Sequence, residues 1–347
     1  MWTRRPLTKR LLTRRAFSMG ALAAVAPVSA FAQSDRFAAA KAYSAASRGV
    51  SFLLLDETGR TLSEDYPNDG SPEAAWELAS GTKSFSGLAV AAAVQDGLMR
   101  LDQPCADHLP EWRSDGRRAI TIRQLLSLTS GIGGGAIGRP PPYADAIALP
   151  VQAAPGVRFS YGPAPFQIFG EILRRATGRD PMAFLQARLF DPLQIAPTRW
   201  TRGRDGYPHL PSGAAFTARA WGRFGVMTLN GWRRDGKALV DQAALDANFT
   251  ASSANPGYGL TWWLLRPGLI GPSPRSGVTA ESIGAAAMAE DIVMAAGAGN
   301  QRLYLLRKRR LVLVRQADRI GMALMGRGPE WSDAEFLRRV LTSVGSL

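Results

Sequence analysis

The order of apolar patterns along this 347-residue chain predicts a mixed α/β (α+β) fold: one antiparallel sheet flanked by helices and carrying an inserted helical lobe. Three observations predict it. Residues 50–63 read as strand, turn and strand. The middle of the chain reads as helical pieces broken by Pro and Gly. Beyond Tyr258 the pattern returns to short strand-like runs. Strands near both ends then share one sheet. The expected sheet lobe covers about 35–100 and 250–347, and the helical lobe about 101–249.

Taken in order, residues 1–32 read as an export signal and not as part of the fold. Arg4, Arg5, Lys9, Arg10, Arg14 and Arg15 precede an Ala-rich apolar run from Met19 to Val28, and Ala30-Phe31-Ala32 has the small-x-small form of a cleavage site. Thr13-Arg14-Arg15-Ala16-Phe17 resembles the twin-arginine signal, which is read by the twin-arginine export machinery. A Sec signal that happens to carry paired arginines is the alternative. The apolar run is too short for a permanent membrane span. The remaining residues, 33–347, form the expected mature domain, periplasmic or secreted.

Within that domain, Val50–Asp56 is a strand, Glu57–Arg60 a Gly-containing turn and Thr61–Ser63 the return strand. Ser80 to about Gly97 is apolar on nearly every face, as suits a helix buried inside a domain. Ile120–Leu128 predicts a short helix, and Phe166–Thr177 another, closed by Gly178. Gly131–Gly138 and Pro140–Pro142 form a loop; its Gly131-Ile-Gly133-Gly-Gly-Ala136 run nominally fits a dinucleotide fingerprint but follows a helix instead of a strand. Phe216–Asn230 is helical. Gly259–Leu265, Ile292–Ala296, Gln301–Leu306 and Leu311–Arg315 are strand-like, the last two joined into a hairpin by the basic turn Arg307–Arg310. Asp333–Val344 closes the chain as an amphipathic helix.

Composition narrows the function. The net charge of +14 falls to +8 without residues 1–32, and the remaining basic residues form no stripe interleaved with aromatics, which argues against nucleic-acid binding. Two histidines, His108 and His209, and no metal-binding motif point to neither metal nor cofactor. Cys105 is the only cysteine, so no internal disulfide forms, and it reads as a packed structural thiol.

Ser80-Gly81-Thr82-Lys83 carries the chemistry. A serine and a lysine three residues apart on a helix share a face. A buried lysine has a lowered pKa and can then take the serine proton. Tyr161, in the loop Phe159-Ser160-Tyr161-Gly162-Pro163, is a candidate proton relay to a leaving group, with a phenol pKa expected to fall beside an ammonium. Ala296-Gly297-Ala298-Gly299 ends a strand with small residues, so a substrate carbonyl can approach its backbone N–H groups. Tyr143, Trp200, Trp262 and Trp263 are candidates to line an apolar pocket, though each is also a common core residue. His209 lies in a Pro-rich loop and reads as a surface or packing residue.

These motifs, with Ala119–Gly131, Pro155–Tyr161, Phe190–Leu193, Thr217–Gly225 and Ala296–Gln301 in order, resemble the serine hydrolases related to class C β-lactamases and penicillin-binding proteins. The likeness is greatest to 6-aminohexanoate-dimer hydrolases and family VIII esterases. The resemblance implies a β-lactamase/transpeptidase-like fold with the site between the lobes. It implies Ser80 as nucleophile, Lys83 as its base and Tyr161 as general acid/base. The N–H groups of Ser80 and Ala298 would form the oxyanion hole. Independently of the resemblance, Tyr143, Trp200, Trp262 and Gly297 are the candidate substrate contacts. Two departures bear on that substrate. Tyr-x-Asn becomes Tyr161-Gly162-Pro163, and the Lys/His-Thr-Gly motif becomes Ala295-Ala296-Gly297. Loss of the amide and the cation argues against efficient β-lactam hydrolysis and leaves a small-molecule ester or amide substrate. The alternatives are a weak β-lactamase or a catalytically silent binder of acyl-amino or cell-wall ligands. Arg302 is a second cation that could hold a substrate carboxylate.

Overall fold

The computed structural model describes Met1 and residues 35–272, 289–318, 320–325, 327 and 330–345. The chain divides into residues 1–35 and 36–347, and the fold below is that of the second unit. Apart from Met1, the expected export signal lies outside the described residues.

In chain order the elements are α1 (Ala38–Ala46), β1 (Gly49–Asp56), β2 (Thr61–Asp65) and β3 (Ala75–Glu77), then a 3₁₀ turn (Ala79–Thr82) running into α2 (Lys83–Gln95). The inserted region holds α3 (Ile122–Leu126), α4 (Tyr143–Ile147), α5 (Ala164–Thr177), α6 (Pro181–Leu185), α7 (Asp191–Leu193), β4 (Arg199–Trp200), β5 (Ala214–Thr217), α8 (Ala218–Leu229), β6 (Arg233–Arg234), β7 (Lys237–Ala238) and α9 (Gln242–Ala247). The chain then returns through β8 (Trp263–Leu264), β9 (Ile292–Gly297), β10 (Gln301–Leu306) and β11 (Leu311–Ala317), and ends in α10 (Ile320–Leu324) and α11 (Asp333–Val344).

The described residues form a six-stranded sheet in the order β2-β1-β11-β10-β9-β8, antiparallel throughout. Its central strands are buried on both faces. Leu53, Leu55, Leu303, Leu305, Val312 and Val314 meet the Gly222 and Gly225 side of α8. Strand alternation turns Phe52, Arg302, Tyr304 and Arg315 to the other face, where Phe52 and Tyr304 meet Phe336 of α11. Two covered faces explain why these strands read as nearly continuous apolar runs.

Three elements differ from the sequence expectation. The 216–230 segment begins as strand, because Phe216 pairs with Trp76 in the small sheet β3-β5-β4 before Thr217 caps α8. Gly259–Leu265 contributes only Trp263–Leu264 to the sheet. And α8, although it falls within residues 101–249, lies on the six-stranded sheet because its small-residue face matches the leucine-rich strand surface.

Among the described residues no helix is long and apolar enough to cross a membrane.

Candidate active site

The small sheet sets the turn that carries Ser80, the candidate nucleophile. Leu78 N–H donates to the Ala214 carbonyl, and Ala214 N–H donates to Thr82 Oγ1 at 3.3 Å, so β5 holds the turn from both sides. Ala79 sits at φ +46°, a left-handed conformation that costs a non-glycine residue about 1 kcal/mol. It redirects the chain from β3 into the 3₁₀ turn. The helix expected from Ser80 therefore begins as 3₁₀, in which residues three apart are eclipsed, and Ser80 and Lys83 stand in register.

Lys83 Nζ lies 3.0 Å from Ser80 Oγ and 2.9 Å from the Pro211 carbonyl. It also sits over the rings of Tyr161 and Phe166, at 4.9 and 5.3 Å from their centroids. The lysine is buried, and no carboxylate among the described residues reaches it. Burial pushes its ammonium down to about 7, so a large fraction of Lys83 is the free amine at neutral pH.

Tyr161 comes from the loop before α5. The loop is pressed against the glycine-rich segment: a Cβ on Gly162 would fall 2.1 Å from the Gly134 carbonyl, and one on Gly134 would fall 2.3 Å from the Tyr161 carbonyl. Ala164 N–H donates to the Gly134 carbonyl at 3.0 Å. This close approach brings Ile137 and Gly138 to the mouth of the cleft. Phe159, Tyr258 and Trp263 back the Tyr161 ring, with Trp263 at 5.5 Å between centroids. Burial pushes the phenol up to about 12; the Ser80 hydroxyl and the Arg302 charge offset only part of this. The expected lowering by the neighbouring lysine is thus overturned. The amine faces the ring, and desolvation of the oxygen dominates.

The third wall is the end of β9. A Cβ on Gly297 would lie 2.0 Å from the Leu78 carbonyl, so only glycine lets this strand approach the nucleophile turn. Gly297 is packed there and does not line the cleft, whereas Ala298 does. An open cleft results, lined by Ser80, Lys83, Tyr161 and Ala298 together with Glu77, Ile137, Pro140, Pro163, Pro211, Ser212 and Ile320, among others. Ser80 and Lys83, Tyr161, and Ala298 therefore converge from three separate stretches of chain.

The expected pocket aromatics do not join them. Trp262 is fully buried between Phe224 and Phe249. Trp200 packs on Phe85 and Phe190, with its indole N–H given to the His209 carbonyl at 2.9 Å. Tyr143 is buried, stacks on Tyr207 and donates to the Pro208 carbonyl. In each case core packing outcompetes the cleft for a large ring. Ala295 is buried in β9 and does not line the cleft. Arg302 is also buried and points into the sheet face under α11, bonded to Asp333, so it is not placed to meet a substrate carboxylate. His209 is half-buried outside the cleft lining, and burial raises the thiol pKa of Cys105 in the core. Sequence reading missed Pro211, whose contribution is a backbone carbonyl, and Glu77 and Ile320, whose types carry no signal of their own.

An antiparallel sheet covered by helices, with the serine-lysine turn at the junction with the helical insertion, is the β-lactamase/transpeptidase-like architecture. The chain belongs to the β-lactamase family, whose profile matches residues 34–339. Among curated relatives, esterase EstB of Burkholderia gladioli is 32% identical over 162 residues, 40% of this chain and 39% of that protein. Protein flp of Staphylococcus aureus strain MW2 is 27% identical over 170 residues, 43% of this chain and 34% of flp. The chain thus spans little more than a third of the length of the curated relatives it matches. A solved 6-aminohexanoate-dimer hydrolase homologue from Bacillus anthracis superposes with a TM-score of 0.64 at 16% identity, over 86% of this chain and 78% of that one. At that identity the likeness speaks for the fold.

Proposed function

We propose that this protein is a serine hydrolase that cleaves a carboxylic ester or a small amide through an acyl-Ser80 intermediate. The observation that carries the reading is the 3.0 Å approach of a buried, carboxylate-free Lys83 to Ser80 Oγ. In acylation, neutral Lys83 accepts the Ser80 proton as Oγ bonds to the substrate carbonyl carbon. The carbonyl oxygen takes up the negative charge against the N–H groups of Ser80 and Ala298. Tyr161 remains a neutral phenol at pH 7 and supplies a proton to the departing alcohol or amine as the carbon–leaving-group bond breaks. The phenol then recovers its proton from Lys83. Water repeats the sequence on the acyl-enzyme and regenerates Ser80.

Cleft chemistry supports a neutral substrate. Lys83 is the only cation among its described lining residues, and Glu77, paired with Arg199 at 3.3 Å, is the only carboxylate. Ile137, Pro140, Pro163 and Ile320 provide apolar walls. The ester named for EstB and the amide named for the Bacillus anthracis homologue mark the two bond types to compare.

A fluorophosphonate or p-nitrophenyl ester should label Ser80, with Ser80→Ala unlabelled and nitrocefin turned over far more slowly than the best short neutral ester. Labelling at another serine, or nitrocefin turnover equal to that ester, overturns the reading. Residues 1–32 are proposed to direct twin-arginine export to the periplasm or beyond. Arg14→Lys with Arg15→Lys should then hold the precursor in the cytoplasm, and continued export would assign the signal to Sec.

A further inference from the structure

Arg302 lies outside the reacting groups, yet its guanidinium is bonded to the strand end that walls the cleft. It is 3% exposed. Nε and Nη2 donate to the two carboxylate oxygens of Asp333 on α11 at 2.7 and 3.0 Å. Nη1 donates to the Gly297 and Gln301 carbonyls, each at 3.0 Å. The Tyr304 hydroxyl donates to the same carboxylate. Burial acts to raise the Asp333 pKa, but the Arg302 charge and these hydrogen bonds hold it below the usual carboxylate range, so the pair stays ionised.

The Gly297 carbonyl belongs to the same peptide unit as the Ala298 N–H. In a trans peptide the two groups point to opposite sides. A carbonyl turned to Arg302 therefore sends the N–H away from Arg302. Ala298 lines the cleft with Ser80. The turn beyond it is tied down separately: Arg315 donates to the Asn300 carbonyl at 2.8 Å, and the Gln301 side chain donates through Nε2 to the Ala317 carbonyl at 2.6 Å. Gly297 is required for the close approach to Leu78, but glycine also leaves its backbone the freest to rotate.

We infer that Arg302, clamped by Asp333, is a positioning residue for the oxyanion hole, its bond to the Gly297 carbonyl fixing the direction of the Ala298 N–H. The same bond polarises the peptide and strengthens that N–H as a donor. The inference rests on the acyl-Ser80 reading and adds to it the device that keeps one donor aimed.

The test measures single-turnover acylation by p-nitrophenyl acetate, normalised to titrated Ser80, with affinity for phenylboronic acid, whose tetrahedral serine adduct needs the hole. Arg302→Leu with Asp333→Leu removes both charges together and leaves neither buried alone. Arg302→Lys keeps a cation for Asp333 and so preserves the fold, but lacks the planar fork that spans both partners. Acylation should fall about 10–100-fold in the double variant and at least about fivefold in Arg302→Lys, with KM within about threefold and boronate affinity falling in parallel. A merely structural role would lower the titrated fraction or the melting temperature and leave the rate per titrated site unchanged. Either folded variant acylating within about twofold of the native protein, or a loss carried by KM alone, overturns the inference. Native protein that is never acylated at Ser80 instead overturns the hydrolase reading, and this inference with it.

Discussion

Two buried cations, Lys83 in the cleft wall and Arg302 behind the end of β9, differ in side-chain type and in countercharge. Lys83, at the nucleophile turn, has no carboxylate partner among the described residues, and burial alone drives it toward neutrality. Arg302, behind the end of β9, is equally buried but has Asp333 in a bidentate pair. Burial drives a lysine toward the neutral amine where no countercharge compensates it, whereas a buried arginine stays protonated and needs one. With a countercharge, the same burial makes a rigid charged clamp. The fold thus holds a lysine near neutrality and an arginine as a fixed charge close to one cleft, the carboxylate standing only beside the arginine.

Removing that carboxylate breaks the contrast most severely. Asp333→Ala leaves Arg302 charged and alone in the core, and should destabilise the fold by about 3–5 kcal/mol in urea unfolding. A change under about 1 kcal/mol would mean that water or another group compensates Arg302.

Next in size is the loss of the proposed base. Lys83→Ala should slow acylation of Ser80 by two or more orders of magnitude, on the order of 3 kcal/mol. In the native protein, kcat/KM for a neutral ester should rise about tenfold per pH unit up to about 7 as Lys83 loses its proton, then level off. Lys83→Ala should lack that rising limb. A wild-type profile flat from pH 5 to 9 would remove the lysine from the proton transfer.

The same lysine should cost stability. Its folded-state pKa, about 7, lies below the ordinary lysine value, so between roughly pH 7 and 10 the unfolded chain binds a proton that the folded chain lacks. Native stability from this group rises with pH through that window, and the burial cost is greatest and constant below it. Lys83→Met should therefore stabilise the protein by roughly 2–4 kcal/mol at pH 6, with the gain nearly gone by about pH 10. Equal gains at both pH values would show that the charge is not the cause.

The smallest effect sharpens the comparison at the backbone. The β9–β10 turn places Gly299 and Asn300, which tolerate positive φ, at its left-handed positions, whereas the nucleophile turn uses Ala79 at φ +46°. Ala79→Gly should stabilise the fold by about 0.5–1 kcal/mol and raise the melting temperature by a few degrees. A lower melting temperature would show that the Ala79 methyl group contributes more by packing than its backbone costs.

Much of this was readable in advance because the relevant signals are local. Val50–Asp56, the hairpin around Arg307–Arg310 and the helix Asp333–Val344 follow from period and turn chemistry, and all three occur as expected. Ser80 and Lys83 meet because three-residue spacing in any helical turn brings them together. The aromatics misled for the opposite reason. Trp200, Trp262 and Tyr143 have the composition of a pocket wall, but whether a ring faces a cleft or a core depends on what packs against it, and Phe85, Phe224 and Tyr207 are remote in sequence from at least one of their partners.

By itself, the sequence determined the meeting of Ser80 and Lys83, the strands of the sheet and the small-residue end of β9, because each depends on neighbours a few positions away. Only the tertiary structure decided the rest. Lys83 is driven toward neutrality by burial with no countercharge, Tyr161 is held neutral by desolvation, and the Gly297 carbonyl is turned to a clamped Arg302. Protonation state and peptide direction depend on the whole set of groups brought near by folding, and for these residues that set comes from distant parts of the chain.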